Sequence, residues 1–122
     1  LAAFAKSGEA CVVIDAGTAI TVSVVDGFGV FRGGAIAPGV AMMLRSLATG
    51  TGALPDLLKF PLPPVPSEPV GTTTRDAMLL GCAEAARGLA HRAIDRFALS
   101  NGSYPRVIAT GGDAALLFEH DE

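Results

Sequence analysis

The spacing of apolar and polar positions changes several times along this chain, and each change marks an element. Cys11-Val12-Val13-Ile14 is an unbroken apolar run, the pattern of a strand buried on both faces. Beyond Asp15-Ala16-Gly17-Thr18, the residues Ile20, Val22 and Val24 alternate with Thr21 and Ser23. A second strand therefore doubles back beside the first through a tight turn. Asp26-Gly27 signals another hairpin, and the third strand is expected over Val30 to Ala37. Gly33 and Gly34 in its middle are poor strand material, because glycine adds no packing and loses more entropy on ordering. The pair suggests a bulge or a close approach by another backbone or a ligand; a bend in a small sheet is equally open.

Pro38 stands where a helix would begin, and Val40, Met43, Leu44 and Leu47 then fall on one helical face. Thr49-Gly50-Thr51-Gly52 ends that helix. Prolines at 55, 61, 63, 64, 66 and 69 exclude regular helix and central strand, so 55–70 reads as a stiff, extended connection within one domain. The longest helix opens near Thr74, a good N-cap, with Asp76 in its first turn. Its apolar stripe is Met78, Cys82, Ala85, Leu89, Ala93 and Phe97, widened by Ala86, Ala90 and Ile94. Glu84, Arg87, His91 and Asp95 line the other side, where His91 reads as a solvated histidine paired with Asp95 one turn later. Asn101-Gly102 closes the helix. Arg106 to Thr110 is expected to be a short buried strand, which Gly111-Gly112-Asp113 turns into a helix over Ala114 to Phe118. The order is β-β-β-α-α-β-α.

Composition narrows the function classes. A chain of 122 residues is one domain by length, half of it apolar. Charged residues make up 17% and the net charge is −3, so the basic surface of a nucleic-acid binder is missing. Apolar runs fall far short of the roughly 18 residues that cross a bilayer, and the start lacks the basic region of a signal peptide. A cytoplasmic location is the expectation, with no nucleic-acid or membrane partner. Cys11 and Cys82 have neither a Cys-x-x-Cys partner nor a histidine cluster, so they read as small buried hydrophobes. The chain begins with Leu1, and Leu1 to Ala5 read as the tail of a helix that starts upstream, as in a fragment.

The chemistry concentrates in two turns. In the first, Asp15 offers a carboxylate for a cation or a metal-bound water, Gly17 lets backbone approach a bulky anion, and Thr18 and Thr21 offer hydroxyls. Phosphate with its cation needs that mixture. Asp-x-Gly-Thr is also ordinary turn chemistry, and those four residues alone favour the plain turn. The second is Thr110-Gly111-Gly112, where a strand runs into a helix start and presents free N–H groups. Two such turns facing one cleft would make a nucleotide site.

Several blocks together resemble the type III pantothenate kinases, members of the superfamily of acetate and sugar kinases, heat-shock chaperones and actin. They are Asp15-Ala16-Gly17-Thr18-Ala19-Ile20-Thr21, Gly33-Gly34-Ala35-Ile36-Ala37-Pro38-Gly39, Leu47 through Ala53-Leu54-Pro55, Gly71-Thr72-Thr73-Thr74, and Ala109-Thr110-Gly111-Gly112-Asp113. The resemblance implies an α/β, ribonuclease H-like (actin-like ATPase) fold: three antiparallel strands, then helices and a further strand in a mixed sheet. Residues 1–122 would be the C-terminal lobe of a two-lobe kinase. It implies ATP-dependent phosphorylation of pantothenate, the first step towards coenzyme A, with Mg2+ and a monovalent cation (K+ or NH4+). By the same resemblance Asp15 binds the monovalent cation, Gly17, Thr18, Gly111 and Gly112 lie at ATP, and Thr74 lies in the pantothenate pocket. A homodimer would complete that pocket and give the long helix a partner.

The chain departs from the family pattern in places. The family's first Asp-x-Gly phosphate loop and the Gly-x-Asp-Arg segment with the general-base aspartate would lie upstream of Leu1. Ser23 stands where many relatives carry a second acidic residue. The chain also stops earlier than the family pattern does, so a last helix is expected beyond Glu122. The chain alone is thus expected to lack kinase activity. The rival expectations are a non-enzymatic regulator of the same fold and another sugar or acetate kinase.

Overall fold

A computed structural model describes residues 9–57 and 62–118. The helix tail expected over Leu1 to Ala5 lies outside the described residues. Strands β1 (Cys11–Ala16), β2 (Ala19–Val25) and β3 (Phe31–Pro38) are followed by helices α1 (Val40–Thr51) and α2 (Thr74–Asn101), then β4 (Arg106–Thr110) and the short helix α3 (Ala114–Phe118). The sheet order is β3-β2-β1-β4. Consecutive strands β1, β2 and β3 pair antiparallel, while β4 joins β1 in parallel after the helical crossover. This is the mixed sheet, three antiparallel strands and one parallel, that the resemblance implies.

Register divides the sheet into two faces. Val12 pairs with Val24, Ile14 with Val22 and Ala16 with Ile20, and directly opposed residues share a face. These side chains meet Val40 and Leu44 of α1, Leu117 of α3, and Met78, Leu79, Cys82, Ala83, Ala86 and Ala90 of α2 in one buried cluster. Each fully buried aliphatic contributes about 1.5–3 kcal/mol relative to exposure, so this face carries most of the fold's stability. The opposite face is more open. There Asp15 stands in a row between Thr21 on β2 and Thr110 on β4.

Several local expectations shift. Pro38 ends β3 and does not start a helix; α1 begins at Val40 with Gly39 as N-cap. Thr73, not Thr74, caps α2, accepting a hydrogen bond from the Asp76 N–H at 3.1 Å. Met78, Cys82, Ala86 and Ala90 of the expected α2 stripe are buried, joined by Leu79 and Ala83, and only Ala85 of the stripe is exposed. β4 is mostly exposed, not buried, because it lies at the sheet edge with β1 as its one strand neighbour among the described residues. Asp95 accepts from the Tyr104 hydroxyl at 3.1 Å.

Other expectations match. The glycine pair of β3 does two things. Gly33 takes φ +108° beside a register shift at Val24/Val25, and a Cβ on Gly34 would lie 1.8 Å from the Val22 carbonyl oxygen. The pair thus serves both a bulge and a close backbone approach. Gly52 and Gly102 close α1 and α2 with φ of 70° and 84°. Residues 62–70 carry neither helix nor strand. Arg87, expected on the polar side of α2, instead turns inward: its Nε–H donates to the Leu117 carbonyl at 2.7 Å and it pairs with Glu84. It thereby ties the end of α3 to α2 and satisfies a terminal helix carbonyl. Among the described residues no helix is long and apolar enough to cross a membrane.

Candidate phosphate site between two glycine turns

The β1–β2 turn is held from below. Gly17 N–H donates to the Ala19 carbonyl at 3.1 Å, and the Thr18 carbonyl accepts from Gly39 N–H at 2.9 Å. A Cβ on Gly39 would meet the Gly17 carbonyl oxygen at 2.1 Å and that of Thr18 at 2.5 Å. The β3–α1 junction therefore needs glycine because two backbones touch there. The clamp leaves the Thr18 side chain exposed at the top.

The second turn is locked to the first. Gly111 takes φ +99°, and a Cβ there would lie 2.5 Å from both Asp15 Oδ1 and the Ala16 carbonyl oxygen. That same carbonyl accepts from Asp113 N–H at 2.9 Å, and Ala114 N–H bonds to the Gly111 carbonyl at 3.2 Å. Parallel pairing of Asp15 with Thr110 thus delivers both turns to one end of the sheet.

Between them lies a cavity of about 470 Å3. Gly17 and Thr18 line it from one turn, Gly112 and Asp113 from the other, and Ala41 and Arg45 from α1. Gly17, Thr18 and Gly112 are accordingly brought together. Gly111 is set against Asp15, and the Asp15 side chain, exposed, stands beside the cavity on the open face without lining it. Thr74, exposed on the first turn of α2, does not line it either. A larger cleft of about 810 Å3 lies between residues 64–69 and α2, lined by neither glycine turn.

Burial pushes the Asp113 carboxyl above its ordinary value. The sequence pattern marks neither Arg45 nor Asp113 as a site residue. The signal for Arg45 was that it is the one charged residue of α1, one turn beyond Ala41. Asp113 was placed in the turn but read only as part of a helix start. Burial raises the pKa of the Cys82 thiol, and Cys11 is a second buried cysteine.

The donor set tells which cations fit. Among the described residues no three His, Cys, Asp or Glu side chains gather as a metal cluster. A lone exposed carboxylate beside threonine hydroxyls and carbonyls suits a hard cation that takes its remaining ligands from water and substrate oxygens.

The family model for type III pantothenate kinase matches residues 1–96. The chain belongs to the type III pantothenate kinase family. Relatives of that name are 42% identical over 115 residues in Akkermansia muciniphila, 40% over 120 in Rhodopirellula baltica and 38% over 122 in Hahella chejuensis. Those matches take in 94%, 97% and 100% of this chain, but 46%, 42% and 48% of the relatives. The chain thus spans about half the length of the type III pantothenate kinases it matches. A solved structure from Campylobacter jejuni, assigned to the Baf family of transcriptional activators, superposes with a TM-score of 0.63 at 26% identity. It covers 98% of this chain, which covers 51% of it.

Proposed function

We propose that the intact protein transfers the terminal phosphoryl group of ATP to the hydroxyl of pantothenate, with this chain supplying part of the phosphate cradle. The observation that carries the reading is the convergence of the Thr18 turn and the Gly112 turn on one cavity in a chain of this family. Phosphoryl transfer asks a protein chiefly to align two oxygens and to neutralise charge on the moving group. Hydroxyls, amides and a cation suffice, and no covalent nucleophile is needed. Thr18 would donate to a phosphate oxygen while Gly17, Gly111 and Gly112 let backbone come close. Asp15 would hold a potassium or ammonium ion, and Mg2+, which screens phosphate charge, would travel with ATP. Thr74 would contact pantothenate.

The same reading has a homodimer whose second copy packs on α2, where Ala77, Gly81, Ala85 and Gly88 are exposed. It has the protein act in the cytoplasm, where its thiols stay reduced, and without nucleic-acid or membrane partners.

The test is a coupled assay of ADP formation by the intact protein with ATP, Mg2+ and pantothenate, with and without potassium. Potassium-stimulated turnover is expected. Asp15→Asn should remove the potassium response with most of the activity, and Thr74→Val should raise the pantothenate KM more than the ATP KM. Turnover indifferent to potassium would take Asp15 out of its role. Equal effects of Thr74→Val on both KM values would take Thr74 out of the pocket.

A second reading rests on the C. jejuni structure and its assignment to transcriptional activators. The intact protein would then be a non-enzymatic regulator that binds nucleotide without turnover. Nucleotide binding with no ADP formed on pantothenate, or on a panel of sugars and carboxylates, would favour it. Turnover on a panel member in place of pantothenate would instead indicate another kinase of the superfamily.

A further inference from the structure

The cavity between the glycine turns is lined by a cation whose counter-charge the described residues do not supply. We propose that Arg45 holds the terminal phosphates of the nucleotide substrate and so makes affinity depend on phosphate number. This rests on the kinase reading above.

Position comes first. Val40 and Leu44 anchor α1 in the core, so its rotation is fixed, and Ala41 and Arg45, one turn apart, both fall on the cavity. Availability comes second. Arg32, Arg75 and Arg87 pair with Asp26, Asp76 and Glu84. The Arg45 guanidinium makes no hydrogen bond or ion pair with any described residue, and Asp113 in the same lining forms none with it. An arginine left unpaired by the acids among the described residues offers an intact fork of donors, which matches two phosphate oxygens at once.

The surroundings agree. Thr18 offers a hydroxyl across the cavity, and the first turn of α1 carries no acidic residue that would repel an anion. With a net charge of −3, the chain has no general attraction for a polyanion, so a local cation must provide it.

The experiment is calorimetric titration of the intact protein with ATP, ADP, AMP and adenosine, for wild type, Arg45→Ala and Arg45→Lys. Charge-assisted hydrogen bonds of this kind correspond to roughly 10- to 100-fold in affinity. Arg45→Ala should lose that much for ATP, less for AMP and nothing for adenosine. Arg45→Lys should fall between, because lysine keeps the charge and loses the fork. The urea midpoint without ligand should not move, since the side chain is exposed and bonds to no described residue. Wild-type ATP affinity in Arg45→Ala, or equal losses for ATP and adenosine, would overturn the assignment. Wild type that binds no ATP would overturn the kinase reading itself, and this inference with it.

Discussion

Gly111 lies so close to Asp15 that a single added methyl group would sit 2.5 Å from the Asp15 carboxylate oxygen. The contact joins the ends of β1 and β4, and it holds the two turns at a fixed distance across the cavity. Gly111→Ala meets two obstacles at once: a left-handed backbone at φ +99° and a collision with the Ala16 carbonyl. Strain of both kinds predicts a loss of roughly 2–4 kcal/mol in urea denaturation. ATP affinity should fall as well, because the turn cannot relax without moving Gly112. A variant as stable as wild type would show that the turns are not locked together.

Gly39 separates close contact from backbone strain. Its φ is −71°, open to any residue, yet a Cβ would press on the Gly17 and Thr18 carbonyls. Gly39→Ala should therefore cost about 1–3 kcal/mol through overpacking alone. Gly112→Ala is the control, since a Cβ there meets nothing within 4 Å and its φ is not positive. The pair is compared by denaturation midpoints. Equal midpoints would mean that the β3–α1 junction yields more easily than two touching backbones should.

Thr73 and Thr74, at the start of α2, divide their labour. The Thr73 hydroxyl caps the helix, so Thr73→Ala should cost about 1 kcal/mol. Thr74 is exposed and Thr74→Ala should stay within roughly 0.5 kcal/mol. If Thr74 contacts pantothenate, the two variants dissociate: one lowers stability, the other raises the pantothenate KM. Thermal melts and KM measured on both variants check this.

Period-2 alternation in β2 and the apolar run of β1 made the sheet readable, because strand pattern and burial agree there. The helix bodies were legible for the same reason at period 3.6. Errors came where a tertiary contact decides a local choice. Pro38 stays in β3 because Gly39, one residue on, must fit against Gly17. The exposed edge position of β4 follows from topology, which a pentapeptide with an apolar centre does not encode. Three adjacent threonines each fit an N-cap, and the chain direction into α2 selects Thr73. In the site, Asp15, Gly17, Thr18 and Gly112 stood out as turn residues with chemistry. Arg45 did not, since a helical arginine looks solvated until the opposing turns are placed.

Asp113 gives the site a pH dependence of predictable sign. Burial penalises its ionised form, so the folded-state pKa is raised above the unfolded value. Below the unfolded value both states hold the proton and folding carries no penalty. As pH rises through the window between the two values, the unfolded state ionises first, and folding stability declines until the native carboxyl ionises too. Asp113→Asn removes this decline and leaves the Asp113 N–H bond to the Ala16 carbonyl in place. Relative to wild type, the variant should gain stability across the range from the ordinary carboxylate value upward, and the gain should level off at neutral pH. At acid pH the difference should vanish. Urea midpoints measured between pH 3 and 8 check it. A variant less stable than wild type at neutral pH would mean that the native carboxylate is stabilised by a partner outside the described residues.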